Sequence, residues 1–233
     1  MRFPFDIPNR LLTMFYVRNY LSDSAKETCF SHNGNYLLET KIVKRFGDTV
    51  SNEQGDVYLS CIEHNGKCDP KIIVKLITSE TYQPEAAFIN MYDLPDPDMI
   101  EVNAMKITTD LVRKHYCQNL PLLYTYTFCP DCRSSNCITL VSEYADVGDM
   151  DKFLKNVSVD NDLLLNILFQ TCCGLATLWN NYGMIHNDLH VGNLLLHTTN
   201  LEKGVWEYII DGESYFCPNL GFLVMLWDFG FAI

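Results

Sequence analysis

Three short stretches in the first third of the chain alternate between apolar and polar positions. They are KIVKRFG from Lys41, which breaks at Gly47, GDVYLSCI from Gly55, and the β-branched run KIIVKLI around Lys75. A period of two marks a strand with one face buried, so the pattern predicts three antiparallel strands. Pro84, Pro95 and Pro97 punctuate a connector, after which MIEVNAMKITTDLVRKHY sets Ile100, Ala104, Ile107 and Leu111 on one helical face. PLLYTYTF and CITLVSEY read as two further strands, with the segment FCPDCRSSNC between them as the hairpin tip. Residues 1–40 are weakly patterned and form an unassigned leader.

Beyond Tyr144 the period changes. GDMDKFLKN reads as a short helix, and a longer one from about Asn161 to Tyr182 carries Leu164, Leu168, Cys172, Leu175 and Trp179 at helical spacing, closed by Gly183 as a left-handed cap. Strands with one helix, followed by helices, predict an α+β architecture with a hinge near residues 143–148. The expected organisation is a leader over 1–40, a five-stranded unit with one helix over 41–145, and a helical unit over 146–233. Residues 194–226 read as an inserted hairpin.

Composition narrows the classes. An apolar share of 48% with 12% aromatics supplies ample core material and excludes a disordered chain. The net charge of -12 disfavours nucleic acid or an anionic membrane as the main partner. No apolar run reaches the roughly 18 to 20 residues that span a bilayer, and the start MRFPFDIPNRLL lacks the apolar core of a secretory signal. The expectation is therefore an intracellular, cytoplasmic protein without a membrane span.

Ten cysteines fit reduced thiols in such a compartment, with Cys172 and Cys173 acting as small hydrophobes inside a helix. Cys129, Cys132 and Cys137 are the exception. The first two have the two-residue gap that lets thiolates share a tetrahedral zinc, which makes structural zinc an alternative to reduced loop cysteines. A fourth ligand is not evident; His115, Cys117, Cys61 and Cys68 are the residues considered.

Two strings carry the chemistry: HNDLHVGNLLL from His186 to Leu196, and LWDFGFA from Leu226 to Ala232. Together they resemble the catalytic loop and the metal-binding loop of protein kinases. That resemblance implies a two-lobe kinase-like fold and an ATP-dependent phosphotransferase of the serine/threonine type, with ATP and magnesium as cofactors. Phosphoryl transfer needs little covalent help but strict positioning: a cover over the phosphates, a cation on them, carboxylates for Mg²⁺ and a carboxylate beside the incoming hydroxyl.

Each part has a counterpart that the resemblance implies. Asp188 is the base for the incoming hydroxyl, and Asn193 and Asp228 are the oxygen ligands for Mg²⁺. Lys75 corresponds to the phosphate-binding lysine, with Glu101 as its ion-pair partner and Glu85 in reserve. Glu101 also fits a capping box with Asp98. Gly47 and Gly55 bracket a degenerate, lengthened glycine loop, and Val57 lies on the strand beyond it as a nucleotide contact. VSEYADVGDM resembles the segment that holds adenine, so Glu143 and Ala145 supply main-chain bonds, Ser142 stands at the rear pocket, and Asp149 or Asp151 reaches the ribose.

The departures are informative. Asn187 replaces the arginine before the catalytic aspartate, which removes the docking point for a phosphorylated activation loop. His190 replaces the lysine expected to stabilise γ-phosphate charge, in a DLHxGN form also found in small-molecule kinases. Only Phe231, Ala232 and Ile233 follow the DFG string, so the expected helical lobe is cut short after it.

The wider pattern resembles divergent serine/threonine kinase-like proteins of large nucleocytoplasmic DNA viruses, carried by NLPLLY, FCPDC, SEYADVGDM, IHNDLHVGNLLL and GFLVMLWDFGFA. The likeness is strong from about residue 140 and looser from 41, and it implies a protein of the host cytoplasm or virion. Two other readings stay open: a catalytically inactive kinase-like binding or virion structural protein, and a small-molecule kinase. The protein substrate or partner is not specified by the sequence.

Overall fold

A computed structural model describes residues 7–22, 29–31, 34–46, 56–79, 99–129, 132, 136–199 and 204–233. The chain is α+β and divides into two compact units. One comprises Thr13–Val102 and Leu123–Tyr144, the other Met1–Leu12, Asn103–Leu122 and Ala145–Ile233. Gly47, Gly55, Glu85, Asp98 and the three prolines of the connector lie outside the described residues.

The first unit is built on one sheet. Its strands are β1 (Phe30–Ser31), β2 (Tyr36–Leu37), β3 (Thr40–Phe46), β4 (Asp56–His64), β5 (Lys67–Ser79), β6 (Leu123–Cys129) and β7 (Asn136–Glu143). They lie in the order β1-β2-β3-β4-β5-β7-β6, with every pairing antiparallel. The sequence pattern predicts five strands; the described residues form seven. The two additional strands have two residues each, too short to leave any alternation. β5 runs between β4 and β7, and Ile72, Ile73, Val74 and Leu76 are all buried, as a continuous β-branched run requires.

The leader, unassigned from sequence, forms a helix, α1 (Ile7–Ser22). Its anchors are polar. Arg10 donates to the carbonyls of Gln118 at 2.7 Å and Leu120 at 2.6 Å, and Arg18 donates to those of Tyr124 and Leu123. Met14 and Val17 are fully buried beside these anchors, but Leu12, Phe15 and Tyr16 are exposed, so apolar residues surround the helix and mark no single stripe.

Both units share α2 (Ile100–Arg113), which follows the connector. Ala104 and Leu111 are buried on its predicted face, and Ile100 and Ile107 are half-buried.

In the second unit α3 (Met150–Asn156) starts at Asp149, whose carboxylate accepts the Lys152 N–H at 2.8 Å. α4 (Asn161–Tyr182) starts at Asp160 and ends at Gly183, where φ of 62° favours glycine. A three-stranded sheet runs β12-β9-β8, from β8 (Gly148–Asp149), β9 (Leu194–Thr198) and β12 (Phe222–Leu226). Between β9 and β12 the chain makes a hairpin, β10 (Val205–Ile210) with β11 (Glu213–Pro218).

The face of α4 differs from the expectation. Leu164, Leu168, Cys172 and Trp179 are exposed and Leu175 is half-buried; Asn166, Ile167, Gln170, Thr171, Cys173, Gly174, Thr177 and Leu178 face the interior. Side-chain amides explain the rotation. Gln170 accepts the Val224 N–H at 3.0 Å and donates to the Phe222 carbonyl at 3.1 Å, and Asn166 donates to the Pro218 carbonyl at 2.7 Å. The Gln170 bonds satisfy the open edge of β12 and the Asn166 bond the end of β11, so a polar stripe is what the core needs there. By length and composition α4 is apolar enough to cross a bilayer, contrary to the expectation from sequence, yet this bonding marks it as a core helix.

Candidate functional site

The two strings singled out by sequence are neighbours through β-pairing. β9 and β12 run antiparallel with Leu194 opposite Leu226, and the ladder continues one step further, the Trp227 N–H donating to the Asn193 carbonyl at 2.8 Å. Asp228 therefore leaves the end of β12 directly beside the turn that carries Asn193. That turn is a single 3-10 turn, Val191–Asn193, with Asn193 buried.

Asn193 also binds Asp188. Its Nδ2 donates to the Asp188 carbonyl at 2.9 Å and faces Asp188 Oδ2 at 3.4 Å. With Nδ2 so engaged, Oδ1 is left as the acceptor end of the amide, and among the described residues no group donates to it. Asn187 and Asp228 both hold φ of 60°, the left-handed region that a side chain rarely adopts. Such conformations persist where surrounding bonds over-determine them and concentrate at functional sites.

His186 supplies part of that constraint. It is buried, its Nε2 lies 2.8 Å from the Trp227 carbonyl, and its ring rests against Phe229 at 4.9 Å between centroids. Phe229 is fully buried, and Ile185 and Ile233 exchange main-chain bonds of 2.8 and 3.0 Å around it. Sequence reasoning treats His186 as part of a motif without a task; the geometry makes it the clamp between the two loops.

A second missed residue is Asn119, inside the NLPLLY string. It is completely buried, donates to Gln170 Oε1 at 2.9 Å and the Val224 carbonyl at 2.8 Å, and accepts the Tyr208 hydroxyl at 2.7 Å. Its own carbonyl accepts the Leu226 N–H at 3.0 Å. One amide thus ties α4, the inserted hairpin and β12 together. In the sequence Asn119 follows Gln118 and precedes Leu120, and that local pattern carries no signal of its role.

In the first unit Lys75 and Glu101 form a buried ion pair. Nζ lies 2.8 Å from Glu101 Oε2 and 3.0 Å from Oε1, and the side chains are 6% and 8% exposed. Lys75 sits on β5 opposite Val57 of β4 and Leu140 of β7, and Glu101 sits in the first turn of α2. Val57 is half-buried, while Ser142 and Glu143, at the end of β7, are buried.

In the second unit Ala145 is buried with Leu223 and Met225, and among the described residues its main chain makes no hydrogen bond. Asp149 is engaged as the cap of α3 and pairs with Lys152 Nζ at 2.5 Å. Burial would raise its carboxyl, but the bonds from Lys152 outweigh that and hold it below the usual range. Asp151 pairs with Lys155 at 2.6 Å.

His190 turns back on its own loop. Its Nδ1 accepts the Gly192 N–H at 3.0 Å, so a neutral ring carries its proton on Nε2. A Cβ at Gly192 would lie 2.8 Å from His190 Cε1, so glycine is required for this closure.

The cysteine cluster departs from both sequence readings. Cys129 is bonded to Cys29 and Cys132 to Cys137, with Cys61 joined to Cys68. Cysteines in disulfides hold no thiolate for a cation, and among the described residues no group of three or more His, Cys, Asp or Glu side chains is arranged for a metal ion. His115 and Cys117, considered as a fourth ligand, belong to the other unit. Cys117, Cys173 and Cys217 are buried free thiols and Cys172 an exposed one.

Part of the chain is similar to known proteins. Residues 96–205 match the family model described as protein tyrosine and serine/threonine kinase, a range that contains Asp188 and Asn193 and ends before Asp228. Uncharacterized protein 011L of Invertebrate iridescent virus 3 is 29% identical over 161 residues, covering 62% of this chain and 21% of that protein. The probable serine/threonine-protein kinase 380R of Invertebrate iridescent virus 6 is 38% identical over 72 residues, 30% of this chain and 13% of its own length. A probable serine/threonine-protein kinase of Encephalitozoon cuniculi is 33% identical over 89 residues, 37% of this chain and 17% of its own. The chain spans about a fifth or less of the length of these relatives. These matches show similarity to a protein kinase domain over residues 96–205.

A kinase domain in general implies nucleotide and magnesium, and the donors present fit. Asn193 Oδ1 and the Asp228 carboxylate are hard oxygen donors on adjoining backbone. Two protein oxygens suffice for Mg²⁺, which keeps waters and takes phosphate oxygens for its remaining positions.

Proposed function

We propose that the protein is an ATP-dependent phosphotransferase of the serine/threonine kinase type, with the two-lobe organisation of that family and the helical lobe represented here only as far as the DFG loop. The observation that carries this reading is the continuous bonding from Asp188 through Asn193 to Trp227, which brings both loops to one end of β9 and β12.

The residues would divide the work as follows. Asp188, half-buried and bonded through its carbonyl to Asn193, would accept the proton of the incoming hydroxyl. Asn193 and Asp228 would hold magnesium, which when bound neutralises charge on the transferring phosphate. Lys75, fixed by Glu101, would neutralise phosphate charge, and the unbonded main chain at Ala145 suits an adenine edge, with Glu143 beside it. Asp149 would reach a ribose only by giving up Lys152. His190 would be committed through Nδ1 to capping its own loop and so turned back from the γ-phosphate.

That last feature, with Asn187 in place of an arginine, supports a second reading: a nucleotide-binding protein with weak or absent turnover. Labelled ATP offered with a mixed protein substrate and, separately, with small alcohols divides the readings. Transfer to serine or threonine, abolished by Asp188→Asn, supports the first. Binding without transfer supports the second, and transfer to alcohols alone overturns the protein-kinase reading in favour of a small-molecule kinase.

A further inference from the structure

Four of the six bonded cysteines form one cluster. Cys29 is bonded to Cys129 and Cys132 to Cys137, with Cα separations of 5.7 and 5.9 Å. The two disulfides adjoin each other, because Cys129 on β6 is the direct cross-strand partner of Cys137 on β7. Residues opposite one another in an antiparallel pair point to the same face, with Cβ atoms roughly 5 Å apart. All four sulfurs therefore lie on one side of the hairpin end, and all four cysteines are buried.

The Cys129 and Cys132 pair has the two-residue gap of a zinc knuckle, yet these two are not bonded to each other. Each reaches to a further cysteine in the same cluster. Cys29, separated from Cys129 by 100 residues of sequence, is held there by its carbonyl, which accepts the Leu38 N–H at 2.8 Å. It is the fourth sulfur that sequence spacing could not supply.

We propose that the reduced protein binds one zinc ion through Cys29, Cys129, Cys132 and Cys137, so that this cluster alternates between two disulfides and a zinc tetrathiolate. Each disulfide takes two electrons and two protons from a dithiol, which becomes a disulfide, or two electrons from a phosphine and two protons from water, whose oxygen leaves as the phosphine oxide. The four thiols then release four protons to the solvent, and the four thiolates bind Zn²⁺ as the metal–sulfur bonds form. In a tetrahedral site with Zn–S of about 2.3 Å the sulfurs stand about 3.8 Å apart. Paired sulfurs must therefore separate by only about 2 Å, within reach of side-chain rotation. The Cys61 and Cys68 pair has two sulfurs alone and provides the control.

The test is metal content and spectroscopy on the whole chain, reduced with a phosphine and then given zinc or cobalt(II) alone. The expected result is one zinc retained per chain after gel filtration, a higher melting temperature with zinc, and the visible absorption of tetrahedral tetrathiolate cobalt. The oxidised protein should show none of these. Cys29→Ser should weaken binding by at least about tenfold and remove the tetrathiolate spectrum, whereas replacing both Cys61 and Cys68 by serine should change neither. A reduced parent chain that retains no zinc, cobalt absorption of mixed nitrogen or oxygen ligation, or undiminished affinity in Cys29→Ser overturns the proposal. Should Cys29→Ser fail to fold, the parent's cobalt spectrum decides by itself.

Discussion

Removing one member of the Lys75–Glu101 pair is the sharpest perturbation of the first unit. The two charges are about 3 Å apart and almost fully buried, so at an effective dielectric of about 20 their gross attraction is on the order of 5 kcal/mol. Desolvation offsets most of that, which makes the pair's net worth small, but an unpaired partner keeps the desolvation cost without the attraction. Glu101→Ala and Lys75→Met should therefore each lower unfolding free energy by about 3 to 5 kcal/mol. The double variant Lys75→Met with Glu101→Leu should lose far less than the sum, with a coupling of about 2 to 3 kcal/mol. Urea unfolding at neutral pH, followed by circular dichroism, reads all four corners of the cycle. Single variants costing under about 1 kcal/mol, or losses that add to within about 0.5 kcal/mol, would refute the buried, coupled pair. The pair's value would then lie in fixing the lysine, and nucleotide affinity in Glu101→Gln would be its remaining readout.

Four other outcomes follow from the second unit. Asn119→Ala strands Gln170, the Val224 carbonyl and the Tyr208 hydroxyl in the interior, and should cost about 3 kcal/mol or more in denaturant melts; a loss below about 1 kcal/mol contradicts the network. Leu165→Glu, on the exposed face of α4, should change stability by less than about 0.5 kcal/mol, whereas Ile167→Ala should cost about 2 to 4. Among the free thiols only Cys172 should react quickly with an alkylating reagent in the native protein, as mass spectrometry of the labelled peptides will report. Burial pushes the Cys117 thiol up to about 11 and the Cys173 thiol up to about 12, from an ordinary 9.0. The fold holds those protons more tightly than the unfolded chain does, so their contribution is intact below about pH 9 and is lost as pH rises toward 11 and 12. A melting temperature flat across that alkaline range would contradict the burial of both thiols.

The five long strands were legible because each carries either alternation or a β-branched run, and their turns fall on glycine, proline or the cysteine segment. The short strands and α1 were not, since two residues show no period and the apolar residues of α1 mark no single stripe. α4 was legible as a helix but not in its orientation. Counting apolar positions finds Leu164, Leu168 and Trp179, while the buried face is chosen by Gln170 bonding the edge of β12 and Asn166 bonding the end of β11. Among the candidate site residues, spacing identified those with a chemical role to fill. Their supports, His186 and Asn119, were hidden because hydrogen bonds to backbone 41 and 105 residues away leave no trace in a local pattern. Cys29 was hidden for the same reason.

The central claim is that Asp188, Asn193 and Asp228 serve one magnesium nucleotide. Titration calorimetry with ATP, in the presence and absence of magnesium, tests it on the parent chain and on Asp228→Ala checked for an unchanged melting temperature. The expected result is one nucleotide per chain, dependent on magnesium and weakened at least about tenfold by the substitution. Absence of binding in the parent, or binding indifferent both to magnesium and to the loss of the Asp228 carboxylate, would contradict it.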